Sequence, residues 1–240
     1  MRIDDPWTQL RELTAARIAL GRAGHSLPTG ELMEFQLAHA KARDAVWCAL
    51  DANALAEFAP LRLRSAVRDR AEYLRRPDLG RRLSAELAGR LHRGEWDVAI
   101  IVADGLSAAA VHRHAGNLIQ TLLVELDGWR IAPICIVEQG RVAVGDEIGE
   151  RLGAAMALVL LGERPGLSSP DSLGAYLTWA PRIGRTDAER NCVSNIRAEG
   201  LDPKIAALRI GQLMKAARQQ QVTGIHFASP VAANRVLSDR

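Results

Sequence analysis

Large rings are scarce in this chain: Phe, Trp and Tyr together make up 4% of its 240 residues, against a hydrophobic share of 48%. Any sizeable core must therefore be aliphatic. Cysteine is also sparse. Cys48, Cys135 and Cys192 are odd in number, widely spaced and in no C-x-x-C arrangement. That pattern argues against a disulfide framework and for free thiols in a reducing cytoplasm. No apolar run approaches the roughly 18 residues of a membrane span. Met1-Arg2-Ile3-Asp4-Asp5 shows no basic stretch leading into an apolar one, so neither a membrane anchor nor a secretory signal is expected. An excess of one charge is missing too. Lys and Arg number 31 against 28 Asp and Glu, a formal net charge of +3, which does not demand a nucleic-acid partner.

What is present falls into two regions. Residues 1–94 read as helical and arginine-rich. Asp5-Pro6 offers an N-cap and a first-turn proline for a helix with Leu10, Leu13, Ala16, Ile18 and Leu20 on its stripe, ended by Gly21 and Gly24. Pro28-Thr29-Gly30 opens a second helix, with Glu31 and Glu34 placed favourably against the macrodipole. A third segment runs from Leu63 to Leu74, and Asp78 caps a fourth through Leu91. Arg68, Arg70, Arg75, Arg76, Arg81 and Arg82 lie on these segments. They read either as a solvated face or as a docking arm for an acidic partner surface.

The composition changes at Gly94-Glu95-Trp96-Asp97, and residues 95–240 read as a second region. Val98 to Ala103 (VAIIVA), Ile131 to Val137 and Met156 to Leu161 are short apolar runs of the kind that form strands buried on both faces. Helices are expected from Ser107 to Asp127, from Gly145 to Leu152 and from Asp202-Pro203 to about Gln219, with Gly224 to Phe227 as a final strand. This β-α-β-α-β spacing predicts an α/β fold, Rossmann-like, with a mostly parallel sheet and flanking helices behind an N-terminal helical arm.

Ligands in such folds gather at the carboxyl ends of strands. Asp104-Gly105-Leu106-Ser107 lies at one such end, where backbone N–H groups can meet an acceptor. It matches neither G-x-G-x-x-G nor G-x-x-x-x-G-K-[ST], and Ser107 reads equally as a helix N-cap. Gly162-Glu163-Arg164-Pro165-Gly166 lies at another end, as a charged site loop or a solvated turn. His112 and His114, two apart on a helix, have the wrong spacing for a metal pair. Cys192, with no histidine nearby in sequence, reads by residue type as a small buried hydrophobe.

Taken together, these stretches resemble the small subunit of ethanolamine ammonia-lyase, an adenosylcobalamin-dependent enzyme family. The resemblance is carried by Val102-Ala103-Asp104-Gly105-Leu106-Ser107, by Gly140-Arg141-Val142 with Asp146 to Glu150, and by Gly162-Glu163-Arg164-Pro165-Gly166-Leu167. Ala180-Pro181-Arg182 and Cys192-Val193-Ser194-Asn195-Ile196 complete it, with Asp5-Pro6-Trp7 and Gly21-Arg22-Ala23-Gly24 in the arm. It implies that Val142, Glu163 and Cys192 contact cobalamin, with Ser107 and Gly162 beside them. It also implies a partner large subunit, a TIM-like barrel that holds ethanolamine, in a hetero-oligomer of several large–small pairs. The implied reaction converts ethanolamine to acetaldehyde and ammonia by radical chemistry. No D-x-H-x-x-G occurs, consistent with cobalamin bound with its own base on cobalt. The expected location is the cytoplasm, with a bacterial microcompartment as the alternative address in some owners.

Two other readings stay open on the residues alone. One is a cobalamin carrier or assembly protein that needs no barrel partner. The other is a stand-alone small-molecule enzyme using Asp104, Glu163 and Cys192, which would turn over without a partner.

Overall fold

The computed structural model describes residues 7–14 and 16–228. Six strands, β1 (Leu61–Arg64), β2 (Trp96–Ala103), β3 (Cys135–Glu138), β4 (Ala154–Gly162), β5 (Leu173–Trp179) and β6 (Arg190–Ile196), form one sheet. Their order is β1-β3-β2-β4-β5-β6. The first four neighbours are parallel; β5 and β6 are antiparallel additions. The main helices are α1 (Thr29–Trp47), α2 (Arg70–Arg75), α3 (Ala85–Ala88), α4 (Ala108–Ala110), α5 (Gly116–Glu125), α6 (Val144–Leu152) and α7 (Pro203–Gln220). A π-helical stretch, Val111–Ala115, joins α4 to α5.

The apolar runs are continuous because both faces of the central strands are covered. From β2, Val98, Ile100 and Val102 pack with Leu118, Ile119 and Leu122 of α5 and with Ile210 and Met214 of α7. The alternate residues Ala99, Ile101 and Ala103 face Val144, Ile148 and Leu152 of α6. Asp202 caps α7, its carboxylate accepting from Lys204 N at 2.9 Å and Ile205 N at 3.3 Å, with Pro203 in the first turn as the sequence suggests.

The α/β class stands, but the sheet is mixed rather than mostly parallel. Gly162 to Ser172 carry the chain through a loop and back, so β5 pairs antiparallel with β4 without a crossover helix. Several sequence expectations are corrected. Leu63 to Leu74 is not one helix: Leu61 and Leu63 alternate with Arg62 and Arg64 as β1, paired parallel to β3. The helix starts only at Arg70, where the Asp69 carboxylate accepts from Glu72 N at 2.8 Å. Asp78 begins only the 3₁₀ turn Leu79–Arg81, because Leu83 is drawn into a bridge with Ser65 and its N–H donates to Glu147 Oε2 at 3.0 Å. Gly224 to Phe227 is no strand but the 3₁₀ turn Gly224–His226, with Gly224 N donating to Asn191 Oδ1. Of the expected Ile131–Val137 run only the part from Cys135 onward is strand, within β3 (Cys135–Glu138), Ile131 making an isolated bridge to Val98.

The arm differs in character. The first stripe is a 3₁₀ turn, Thr8–Leu13, and ends before Ile18 and Leu20, where Ala19 takes a positive φ of 52°. The Asp5-Pro6 cap lies outside the described residues. α1 runs 19 residues and buries only Ala45, leaving Met33, Leu37 and Trp47 exposed.

Candidate functional site

Parallel strands send their loops to the same edge. Asp104–Ser107 leaves β2, Gln139–Ala143 leaves β3, and Glu163–Ser172 leaves β4. The first and third cross in backbone contact: Leu106 N donates to Gly162 O at 2.9 Å. A Cβ on Gly105, which has φ +53°, would lie 2.2 Å from Gly162 O. One on Gly162 would lie 2.1 Å from Ser107 O. Glycine is what lets the two loops meet.

Beside this crossing, on the α6 face, lies a cleft of about 1020 Å³. Arg141 and Val142 line it from the β3 loop, Gly162 and Glu163 from the end of β4, Tyr176 from β5 and Arg190 from β6. Glu163 is held in place: its Oε2 accepts from Ser172 Oγ at 2.5 Å and from Asn195 N at 3.3 Å. Its Oε1 has no hydrogen-bond partner among the described residues and rests over Gly174, where a Cβ would come within 2.8 Å of it.

Val142, Gly162 and Glu163 are thus brought together. Cys192 stands directly opposite Tyr176 in the β5–β6 register. Though exposed overall, it has its thiol pushed up, first by burial, with the Tyr176 hydrogen bond opposing and the Glu163 charge adding. That favours the protonated thiol over a nucleophilic thiolate. Cys192 itself borders a neighbouring hollow of about 440 Å³, so it meets the main cleft through Tyr176. Ser107 stays beneath the crossing, fully buried. Its hydroxyl donates to Pro170 O at 2.9 Å and caps the helix by accepting from Ala110 N at 3.4 Å.

The supporting electrostatics are buried. Arg190 binds Asp146 bidentately, at 2.6 and 2.7 Å, and also Thr178 Oγ1 at 2.9 Å. Burial works against the Arg190 charge, but hydrogen bonds and charge from Asp146 outweigh it and hold the guanidinium protonated. Asp104 lies at 3% exposure, 3.4 Å from Arg70 and accepting from Gly140 N at 3.3 Å. Burial pushes its carboxyl up to about 7 against the pull of Arg70. Arg70 also donates to Gly105 O at 2.8 Å and Val46 O at 2.7 Å. It is therefore a structural tie between α1 and the β2 loop, neither a solvated nor a docking residue. Tyr73 sits between Arg70 and Arg141, its hydroxyl donating to Gly140 O at 3.1 Å.

The arrangement can bind and orient a large polar ligand. Its carboxylates have partners inside the fold, but one oxygen of Glu163 and one of Asp187 have none among the described residues. Sequence reasoning missed Tyr176, Gly174 and Arg190 as contributors. The signal was present as period-two alternation: Leu173, Ala175 and Leu177 face the α5–α7 core, while Gly174, Tyr176 and Thr178 face the cleft side.

Comparison with known proteins shows the family of the chain. The family model "Ethanolamine ammonia-lyase light chain (EutC)" matches residues 4–228. A protein of Ralstonia nicotianae named ethanolamine ammonia-lyase small subunit is 57% identical, over 92% of this chain and 87% of its own length. One of the same name from Azotobacter vinelandii is 55% identical, over 97% of this chain and 92% of its own length. Another, from Pseudomonas syringae pv. tomato, is 52% identical, over 98% and 87%. A match of this extent and identity, running through every loop of the cleft, means that the chain belongs to the ethanolamine ammonia-lyase small-subunit family.

Proposed function

We propose that this chain holds adenosylcobalamin in the cleft between the β3 and β4 loops and the open face of β5 and β6, as the small subunit of an ethanolamine ammonia-lyase. The observation that carries the reading is the convergence of Val142, Gly162 and Glu163 on one cleft, with Cys192 behind Tyr176. The chemistry of the lining fits the cofactor. Glu163 offers a fixed carboxylate with one oxygen open to a hydroxyl or amide donor, Val142 offers apolar contact, and Gly174 leaves the room that the Glu163 carboxylate and the Tyr176 ring occupy. When bound, the cofactor supplies the radical chemistry that turns ethanolamine into acetaldehyde and ammonia, while the protein supplies position and electrostatics.

On this reading a large subunit, expected to be a barrel, closes over the cofactor and holds the substrate. Residues 1–94 serve chiefly for subunit contact, although β1 within them joins the sheet, and residues 95–240 carry the cofactor. Support for the contact role comes from α1, which buries only Ala45 in this chain. The parallel strands β1-β3-β2-β4 are the Rossmann-like part of the fold. The burial of Asp104 beneath Arg70 weighs against a stand-alone enzyme that uses it on substrate.

The test is cobalamin retention, read by visible absorbance after gel filtration, for this chain alone and with the large subunit. Retention with ethanolamine turnover only in the mixture supports the proposal. Tight retention by the chain alone, unchanged by the partner, supports a carrier instead. Glu163→Ala is expected to weaken cobalamin binding about tenfold, the loss of one or two charge-assisted hydrogen bonds. Unchanged affinity removes Glu163 from the site.

A further inference from the structure

Arg141 is more tightly arranged than a surface arginine needs to be. Its guanidinium stacks on the Tyr73 ring, 4.5 Å from the centroid, and its Nη2 donates to Tyr73 O at 3.3 Å. Arg141 N donates to Gly80 O at 2.8 Å, and Gly80 is so close that a Cβ there would lie 3.1 Å from Arg141 Cγ. With the side chain fixed in this way, Arg141 Nε is buried and has no hydrogen-bond partner among the described residues.

The surroundings share this surplus of donors. Arg81, Arg82 and Arg164 line the same cleft. None of the four arginines takes part in an ion pair among the described residues. The cleft's acids are engaged elsewhere: Asp78 with Arg76, Asp146 and Asp187 with Arg190, and Glu163 with Ser172. The N–H groups of Val142 and Ala143, just ahead of α6, are also without partners among the described residues.

Arg141 as a whole is only partly buried, and with Nε shut inside the fold and no ion pair the guanidinium carries an uncompensated charge that its outer nitrogens can offer to an anion. Several uncompensated arginines around one cleft call for an anion, and a planar fork beside free backbone N–H groups suits the tetrahedral oxygens of a phosphate. We infer that Arg141, assisted by Arg81, Arg82 and Arg164, seats a phosphodiester, and that this phosphodiester is the one in the nucleotide loop of cobalamin. The charge of the ligand follows from the arginines, and its identity rests on the cofactor reading above. The assignment gives the cleft a polarity: the nucleotide tail lies toward Arg141 and the 78–82 turn, the corrin toward Glu163 and Tyr176.

The experiment compares two corrinoids on the complex with the large subunit, by equilibrium dialysis read in the visible. Cyanocobalamin carries the nucleotide loop; dicyanocobinamide lacks it. Arg141→Ala is expected to weaken cyanocobalamin binding about 10- to 100-fold and to leave cobinamide binding unchanged. Arg164→Ala, at an exposed residue whose side chain has no hydrogen bond or ion pair among the described residues, is expected to shift the same ratio in the same direction by a smaller factor. It also carries the test should Arg141→Ala fail to fold. Equal losses for both corrinoids, or no loss for either, overturn the phosphate seat and leave the cofactor reading standing. A wild-type complex that retains neither corrinoid overturns that reading and the seat with it.

Discussion

In β2, the side chains from Asp97 to Ala103 are buried, and in β4 only Ala155 and Leu161 are partly exposed. In β6, at the far end of the same sheet, Cys192, Ser194 and Asn195 are exposed. The parallel strands have α5 and α7 on one face and α6 on the other, so their side chains are fixed by packing. The antiparallel pair has α7 on one face only, and its other face carries Tyr176, Thr178, Arg190 and the Glu163 contact at Gly174. Packing on both faces is confined to the parallel half of the sheet, and the antiparallel half leaves one face open along the proposed cleft. Asp146 on α6 and Arg190 on β6 join the two.

The most severe way to break that division is to cut this joint. Arg190→Ala leaves Asp146 buried without its partner, which typically costs about 3–5 kcal/mol. The expected outcome is a large fall in the urea midpoint, with ligand binding lost because β5–β6 no longer holds its place. A midpoint near that of wild type would show that the open half stands without the joint.

A second test asks whether a charge buried beneath the parallel half burdens it. Asp104 has its carboxyl raised to about 7 by burial, against about 3.9 in an unfolded chain. Between those values the folded chain keeps a proton that the unfolded chain gives up, so stability falls as pH rises from about 4 to about 7. The contribution is full below the unfolded value and lost above the folded one. Asp104→Asn is expected to remove this slope, worth up to about 4 kcal/mol. Urea midpoints at pH 5 and pH 8 read it out, and parallel pH dependences for wild type and variant would refute it.

The smallest expected effect sharpens the comparison from the other side. Gly174→Ala places a methyl group 2.8 Å from Glu163 Oε1 and 3.0 Å from the Tyr176 ring. The Glu163 side chain must shift, and cobalamin affinity is expected to fall by roughly tenfold with little change in the unfolding midpoint. A large loss of stability with intact affinity would reverse the roles assigned to the two halves.

The same division decided what the sequence made legible. β2 and β4 were readable because burial on both faces turns a strand into an unbroken apolar run, and α7 because Asp202-Pro203 marks its start. β1 was not, since its LRLR alternation is short and lies in an arginine-rich stretch that favours helix. β5 and β6 escaped because an open face admits Gly174, Thr178, Asn191 and Ser194, which imitate a loop. Among the candidate residues, Val142, Glu163 and Cys192 were singled out through family resemblance rather than local pattern, and their role remains a proposal. Nothing local distinguishes Arg141 from its neighbours until the Tyr73 ring and Gly80 are brought against it. Ser107 was readable as a cap, and its hydroxyl is spent on the cap and on Pro170.

The crossing of the β2 and β4 loops has a consequence for how sequences of this kind diverge. Gly105 and Gly162 are far apart in the chain, yet each occupies space that the other's loop forbids to any side chain. A single replacement at either position meets backbone, which cannot be trimmed by a compensating change of side chain. Relatives can therefore exchange cleft residues, lengthen the arm or alter the surface one step at a time. They cannot drift through this pair without rebuilding both loops together. Two glycines at these places, each closing an apolar strand, are a mark by which distant members of the family can be sought even where the ligand contacts have changed.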